Sequence, residues 1–151
     1  MTGARFSRIR QQVTTPYVML TYGDGVSDIN LRALFAFHQK HGKIGTVTGV
    51  HPPSRFGELV CDGDRVLSFS EKPQVSEGMI NGGFFVFDKR IFDYVTDDEV
   101  LSFEREPLAK LAADGELMVY RHTGFWHPMD TYRDWQVLNE AWQSGKAPWK
   151  H

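Results

Sequence analysis

Apolar runs and helical repeats succeed one another along this chain. Tyr17–Tyr22 is apolar without alternation, which is typical of a strand covered by other layers on both faces. The next segment repeats its apolar residues at helical spacing and ends at Gly42, a residue type that commonly follows helices. A strand followed by a helix is the unit from which α/β folds are built. The predicted buried side of that helix comprises Leu31, Leu34, Phe35 and His38.

The alternation continues through the rest of the chain. Thr2–Val13 has the spacing of a short amphipathic helix, and Asp62-Gly63 predicts a hairpin turn. Gly82-Gly83 predicts a bulge or a close ligand approach inside its strand. Further helices are predicted over Lys89–Val95 and from Leu108 to Gly115. The further predicted strands are Ile44–Val50, Gly57–Cys61, Arg65–Ser70, Met79–Asp88 and Leu117–His122.

The last helix carries the clearest start signal. Thr131 and Asp134 have the spacing of a capping box, and Gly145 predicts the end of the helix. Its predicted buried stripe is Trp135, Leu138 and Trp142. Together these elements predict one α/β domain over residues 1–151, with part of a Rossmann-like mixed sheet flanked by helices.

Composition narrows the class of protein. The 151 residues are 41% hydrophobic and 13% aromatic, which favours a folded globular protein. A formal net charge of −2 indicates no nucleic-acid partner and no anionic membrane surface. Cys61 is the single cysteine, which excludes an internal disulfide and a thiolate zinc cluster. No apolar run reaches membrane-spanning length, and we expect a cytoplasmic protein.

The stretch Tyr22–Asp28 is the first candidate for chemistry. It joins a predicted strand to a predicted helix, at the strand end where open α/β sheets bind ligands. Gly23 and Gly25 permit a tight turn and leave the carboxylate of Asp24 uncovered. That carboxylate suits a hard divalent cation or a sugar hydroxyl. The same stretch also fits a plain helix lead-in, with one of its last two residues as N-cap.

Three further polar clusters lie at predicted element ends, where a rigid scaffold can aim side chains. They are Glu71-Lys72-Pro73, Asn81-Gly82-Gly83 and Trp126–Thr131. Lysine suits phosphate, and two separated aspartates, Asp24 and Asp130, suit a magnesium ion that keeps some of its water. The ordinary alternatives are an exposed turn pair for Glu71-Lys72 and a helix-start carboxylate for Asp130.

Histidines and nucleophiles give weaker signals. His38 and His41 lie one helical turn apart, and His122 and His127 flank a predicted turn. Without cysteine partners nearby, these histidines fit helix-surface or core positions better than metal ligands. The sequence has none of the common nucleophile or P-loop motifs.

Taken together, the motifs resemble the carboxyl-terminal part of the sugar-1-phosphate nucleotidyltransferases, and most closely the glucose-1-phosphate cytidylyltransferases. The matches keep both order and spacing over nearly the whole chain, so they are far more specific than any single motif. The matching segments include Tyr22–Asp28, Arg55-Phe56-Gly57, Glu71-Lys72-Pro73, Ile80–Val86, Glu104–Leu108, Trp126 with Pro128–Thr131, and Ser144–Lys150.

The resemblance implies a fold of the nucleotide-diphospho-sugar transferase type and a set of site residues. Asp24 and Asp130 would hold Mg²⁺, and Lys72 would contact the sugar phosphate, which makes these three the catalytic residues. The residues implied to bind the sugar substrate are Gly57, Glu71, Lys72, Asn81 and Gly82.

The resemblance also implies a reaction. The phosphate oxygen of glucose 1-phosphate would attack the α-phosphorus of CTP in line, giving CDP-glucose and pyrophosphate. Such a transfer needs positioning and charge neutralisation rather than a protein nucleophile. The alternatives are a sister enzyme for another base or sugar, and a non-catalytic sugar-phosphate-binding module.

The sequence lacks a segment that the family pattern includes, and this difference leads to further expectations. Family members open with a strand and a Gly-rich loop for the triphosphate, and nothing in this sequence resembles them. We therefore expect the chain alone to be inactive and to self-associate or form a homo-oligomer. Self-association would follow from an unpaired edge of Tyr17–Tyr22, with Val18 and Leu20 exposed, and from a helix that has lost its packing surface. The apolar stripe of that helix is Phe6, Ile9 and Val13.

Overall fold

The computed structural model describes residues 2–52, 58–70 and 78–150. The helices are α1 (Thr2–Arg8), α2 (Leu31–His41), α3 (Glu106–Ala113) and α4 (Tyr132–Gln143), with a 3₁₀ helix at Lys89–Asp93. The strands are β1 (Tyr17–Thr21), β2 (Gly25–Ser27), β3 (Gly45–Val50), β4 (Glu58–Asp62), β5 (Arg65–Ser70), β6 (Ile80–Asp88), β7 (Leu117–His122) and β8 (Trp126–Pro128).

The chain divides into two compact units, which are described separately. The first comprises residues 1–22, 30–48 and 83–120, and the second comprises residues 23–29, 49–82 and 121–151. The expectation of a single domain over residues 1–151 stays a prediction.

A four-stranded sheet in the order β1-β6-β3-β7 organises the first unit. Alternate residues of β3 point to opposite faces, as in any strand. Thr46 contacts His38 of α2, whereas Val47 packs against the cluster that contains Phe6 of α1 and Leu111 of α3. Helices therefore cover both faces of the sheet, which confirms the predicted α/β class.

Aromatic side chains fill the core beside α1. The ring of Phe6 stacks on Phe92 with centroids 5.0 Å apart and meets the edge of Phe103 at 5.3 Å. Phe85 and Phe87 of β6 stack on each other at 5.5 Å in the same cluster. Such ring pairs stabilise the fold beyond the area that they bury.

The first helix is shorter than predicted and is well packed. It ends at Arg8. In the turns that follow, backbone N–H groups donate to carbonyls three residues earlier, as Arg10 N–H does to the Ser7 carbonyl at 3.0 Å. Phe6 is buried and Val13 packs against the core, whereas Ile9 is exposed. The prediction that this stripe lacks a packing surface is wrong, because the aromatic cluster of the first unit supplies one.

Strand β1 differs from its predicted environment. It pairs antiparallel with β6, from Tyr17 opposite Asp88 to Thr21 opposite Phe84, and lies at the end of the sheet. Its side chains are half-buried or exposed, so the prediction of two fully covered faces is wrong. Among its apolar residues Met19 is exposed, whereas Val18 and Leu20 pack against the core.

The structure differs from the prediction at two glycine-containing segments, the β4–β5 turn and the glycine pair in β6. In the β4–β5 hairpin Asp62 pairs with Arg65, so the turn is Gly63-Asp64, one residue later than predicted. In β6 only the second predicted glycine, Gly83, has a positive φ, of 78°. A Cβ on Gly83 would lie 2.9 Å from the ring of Tyr22, so the close approach there is made by a side chain of this protein.

Helix α4 in the second unit begins as predicted but buries less. Thr131 accepts from the Asp134 N–H, and the Asp134 carboxylate accepts from the Thr131 N–H, which confirms the capping box. Leu138 is buried at 7% exposure, but Trp135 and Trp142 are 46% and 49% exposed. The predicted buried stripe is therefore wrong for both tryptophans.

Candidate functional site

A short ladder in the second unit brings the backbone of Asp24 against the residue that precedes Asp130. Strands β2 and β8 pair antiparallel, with Gly25 opposite Pro128. One step beyond, Met129 N–H donates to the Asp24 carbonyl at 2.6 Å, and Asp130 is the next residue. Asp24 therefore occupies a bend before a strand, where the sequence predicted a turn leading directly to a helix. Both aspartates are exposed to solvent.

Trp126 connects this ladder to the candidate sugar-binding segment. Its indole Nε1–H donates to the Gly82 carbonyl at 2.8 Å, across 44 residues of sequence. Gly25 lies beside this contact, because a Cβ there would be 3.6 Å from Trp126 Nε1. Asn81, the neighbour of Gly82, is exposed. The indole thus fixes the backbone on which Asn81 stands.

A half-buried histidine closes the other end of the ladder. His122 Nε2 lies 2.9 Å from Asp28 Oδ1, 3.1 Å from Ser27 Oγ and 3.2 Å from the Phe125 carbonyl. Gly124 makes room for this cluster, since a Cβ there would come 2.5 Å from Asp28 Oδ1. The segment after β2 is therefore fastened to the segment before β8.

This cluster contains serine, histidine and aspartate but cannot act as a nucleophilic triad. A triad requires the hydroxyl on one ring nitrogen and the carboxylate on the other. Here Ser27 and Asp28 face the same nitrogen of His122, and the Ser27 hydroxyl donates to the Phe125 carbonyl at 2.8 Å. The cluster is structural, in agreement with the absence of a nucleophile motif in the sequence.

A second histidine–carboxylate contact lies beside Asp130. His127 Nε2 is 3.0 Å from Asp134 Oδ1, and both side chains are largely shielded from solvent. Hydrogen bonds from Thr131 hold the pKa of Asp134 below its usual value despite partial burial, and His127 lowers it further. Asp134 is therefore a fixed negative charge at the start of α4, where the helix dipole also favours it.

The chemistry of the two aspartates fits magnesium. Carboxylate oxygens are hard ligands, and Mg²⁺ is commonly held by one or two carboxylates together with waters and substrate phosphates. Within residues 2–52, 58–70 and 78–150 there is no cluster of three or more histidine, cysteine or acidic side chains able to hold a metal.

Some predicted site residues lie outside the described part of the chain, and some residues near the site were not predicted. Gly57, Glu71 and Lys72 lie outside the described residues. Trp126, His122 and His127 were not predicted to shape the site, although Trp126 and His127 belong to a segment that the sequence singled out. Only the partners reveal their roles, since Trp126 bonds to Gly82 and His122 contacts Asp28.

Known proteins resemble this chain in sequence and fold. The chain is 48% identical to glucose-1-phosphate cytidylyltransferase of Salmonella typhi over 151 residues, which are 99% of this chain and 58% of that protein. It is 36% identical to mannose-1-phosphate guanylyltransferase catalytic subunit beta of Dictyostelium discoideum over 124 residues, 79% of this chain and 34% of that protein. The crystal structure of HddC from Yersinia pseudotuberculosis has a TM-score of 0.67 at 23% identity, covering 93% of this chain and 62% of HddC.

The chain covers only part of the length of these relatives. The chain spans 58% of the length of the Salmonella typhi relative, and the similarity to HddC concerns the fold. In the described residues no helix is both long and apolar enough to span a membrane. Residues 4–141 match the profile of the family described as Nucleotidyl transferase, so this chain belongs to the nucleotidyl transferase family.

Proposed function

We propose that this chain forms part of a glucose-1-phosphate cytidylyltransferase, which joins CTP and glucose 1-phosphate to give CDP-glucose and pyrophosphate. The observation that carries the proposal is 48% identity over 99% of the chain to the cytidylyltransferase of Salmonella typhi. The guanylyltransferase relative from Dictyostelium discoideum matches less of the chain at lower identity. A sister enzyme for another base is therefore the second candidate.

The reaction forms one bond and breaks one. A phosphate oxygen of glucose 1-phosphate bonds to the α-phosphorus of CTP, while the bond from that phosphorus to the bridging β-phosphate oxygen breaks. Pyrophosphate leaves with the electron pair of the broken bond. No protein nucleophile is required, so the contribution of the protein is to position the substrates and compensate their charge.

Each site residue has a role in this proposal. Asp24 and Asp130 hold Mg²⁺, which supplies positive charge to the phosphate oxygens. Trp126 holds the backbone at Gly82, and the exposed Asn81 offers an amide to the sugar hydroxyls. Lys72 pairs with the sugar phosphate, while Glu71 and the backbone of Gly57 contact the sugar. The contribution supported by the described residues is the ladder, which brings the Asp24 backbone against Met129, the neighbour of Asp130.

An assay of the full-length enzyme of which this chain is proposed to form part, with each of CTP, UTP, dTTP and GTP, tests the proposal. Glucose 1-phosphate and Mg²⁺ are supplied in each reaction, and the nucleotide-sugar product is identified by chromatography. We expect CDP-glucose to form fastest. A preference for dTTP or GTP would replace the proposal with the sister enzyme.

The two aspartates are tested in the same assay. Asp24→Asn and Asp130→Asn should each lower the rate on the order of 100-fold, because each removes a charge that holds the cation at the reacting phosphates. Glu140→Gln removes an exposed carboxylate from α4 and is the matched control. Equal rates for all three variants would contradict the assignment of the metal ligands.

A further inference from the structure

The Asp134 carboxylate binds both ends of the segment that contains Asp130. Its Oδ1 is 3.0 Å from His127 Nε2, and its Oδ2 accepts from Thr131 N–H at 2.9 Å and from Thr131 Oγ–H at 2.7 Å. A carboxylate has two oxygens that accept hydrogen bonds, and here each serves a different end of the segment. Residues 127–131 therefore form a short loop closed by a single side chain.

The middle of this loop is held separately. Met129 N–H donates to the Asp24 carbonyl, so the residue before Asp130 is bound to the opposite strand. Asp130 thus lies between Met129, which is fixed to Asp24, and Thr131, which is fixed to Asp134. The position of its backbone relative to Asp24 depends on the strand contact and on the carboxylate together.

His127 adds a contact that helix capping does not require. A capping box needs only the N-cap hydroxyl and the carboxylate three residues later, and both are present. His127 stands on β8 opposite Val26, so its bond to Asp134 fastens the ladder itself to the first turn of α4. The ring is further fixed by Phe125, which stacks on it at 6.3 Å and on Trp149 at 5.1 Å.

We propose that His127 and Asp134 are positioning residues, which hold the Met129–Thr131 backbone so that Asp130 faces the same cation as Asp24. The inference rests on the proposed function, because that function makes the two aspartates a pair. Since a carboxylate can only accept, His127 Nε2 carries the proton that it shares with Asp134. The inference predicts that a side chain able to donate at this position preserves the site.

Two substitutions at one position provide the test. His127→Gln keeps an N–H donor, whereas His127→Leu removes it at similar size. His41→Leu is the matched control, because it removes a partly buried histidine that is hydrogen-bonded to Thr46 at 2.7 Å in the first unit. The measurements are the melting temperature, hydrogen exchange of the Met129 amide, and binding of Mn²⁺, a spectroscopic probe for Mg²⁺.

The inference predicts a specific pattern. His127→Leu should accelerate Met129 amide exchange and weaken Mn²⁺ binding about tenfold each, since loss of one hydrogen bond to a charged group costs that order of free energy. His127→Gln should stay within about threefold of the unsubstituted protein for both. His41→Leu should lower the melting temperature and leave both readouts of the site unchanged.

Two results would overturn the inference. One is that His127→Leu and His41→Leu change Met129 exchange and Mn²⁺ binding equally, which would reduce His127 to a general stabilising residue. The other is that His127→Gln accelerates Met129 exchange and weakens Mn²⁺ binding as much as His127→Leu does. Failure of the proposed metal role is distinguishable, because the unsubstituted protein would then bind no Mn²⁺ while Met129 exchange still reports on the His127 contact.

Discussion

At the scale of single residues, His38 is the clearest case of a side chain whose chemistry is set by burial. It is 1% exposed, its Nδ1 lies 2.8 Å from Thr46 Oγ1, and the edge of Tyr17 packs on its ring. Thr46 Oγ1 also meets His41 Nε2 at 2.7 Å. The hydroxyl therefore links two imidazoles, an arrangement that suits neutral rings.

The surroundings of His38 disfavour its charged form. Burial, helped by the nearby His41 and Arg90 and opposed by Asp88, lowers the pKa of His38 from 6.5 to about 4. Burial also lowers the pKa of His41. Protonation of either ring at mildly acidic pH acts against the fold of the first unit.

We predict a loss of stability as the pH falls from 6.5 towards 4. Above 6.5 His38 is neutral in both states, so it contributes no pH dependence. Below 6.5 the unfolded chain binds a proton that the folded protein does not, and the free energy of unfolding falls by up to about 3 kcal/mol from this residue. Denaturant unfolding at a series of pH values measures this slope.

His38→Gln provides the comparison, because an amide does not titrate in this range. The variant should be less stable at pH 7 but should lose less stability on acidification. A slope between pH 6.5 and 4 as steep as that of the unsubstituted protein would show that other groups cause the acid sensitivity.

At the scale of elements, Gly83 shows how one strand depends on a side chain from another segment. Its φ of 78° lies in a region that residues with a Cβ rarely adopt. The missing Cβ also leaves room for the ring of Tyr22. The backbone N–H of Tyr22 donates to the Gly83 carbonyl at 3.0 Å. The hydroxyl of Tyr22 in turn donates to Glu104 at 2.6 Å. Conformation and packing both require glycine here.

Gly83→Ala and Gly42→Ala separate these two requirements. Gly42 also has a positive φ, of 66°, but a Cβ there would meet nothing within 4 Å. Gly42→Ala should cost about 1 kcal/mol of stability, because only the backbone conformation is disfavoured. Gly83→Ala should cost about 1–3 kcal/mol more, because the ring of Tyr22 must also move. Denaturant unfolding measures both values, and equal losses would contradict the packing argument.

At the scale of the whole molecule, β1 is the feature that bears on association. In the described part of the chain it pairs with β6 and lies at the end of the sheet. Next to it is a cavity of about 160 Å³ lined largely by apolar residues of β1, α2 and β6. An edge strand with free backbone groups beside apolar surface is a template for pairing with another chain.

We therefore predict that residues 1–151 self-associate. Size exclusion with light scattering should give a mass above 17.3 kDa that rises with concentration. Met19→Lys places a charge on the 48% exposed residue of β1 and should reduce association, since edge lysines oppose strand pairing. Ile9→Lys, at a 38% exposed residue just after α1, is the control and should leave association unchanged. A monomer at all concentrations would contradict the prediction.

Much of the fold was predictable because its signals are local. Gly42 and Gly115 mark helix ends through their positive φ, and the Thr131–Asp134 capping box marks the start of α4 within four residues. Burial was less predictable. The apolar pattern of Tyr17–Tyr22 indicated a covered strand, whereas β1 lies at the sheet edge, and Trp135 fits a buried stripe yet is exposed.

The sequence by itself determined most of the strands and helices and the family resemblance, because these depend on residue types and their order along the chain. The choice of Asp24 and Asp130 as metal ligands also came from the sequence and stays a prediction, whereas the short strands β2 and β8 were missed. Tertiary structure alone decided which distant groups meet. Trp126 bonds to Gly82, 44 residues away, and His122 contacts Asp28, because β2 and β8 pair. Such contacts depend on strand pairing between remote segments, which no local pattern encodes.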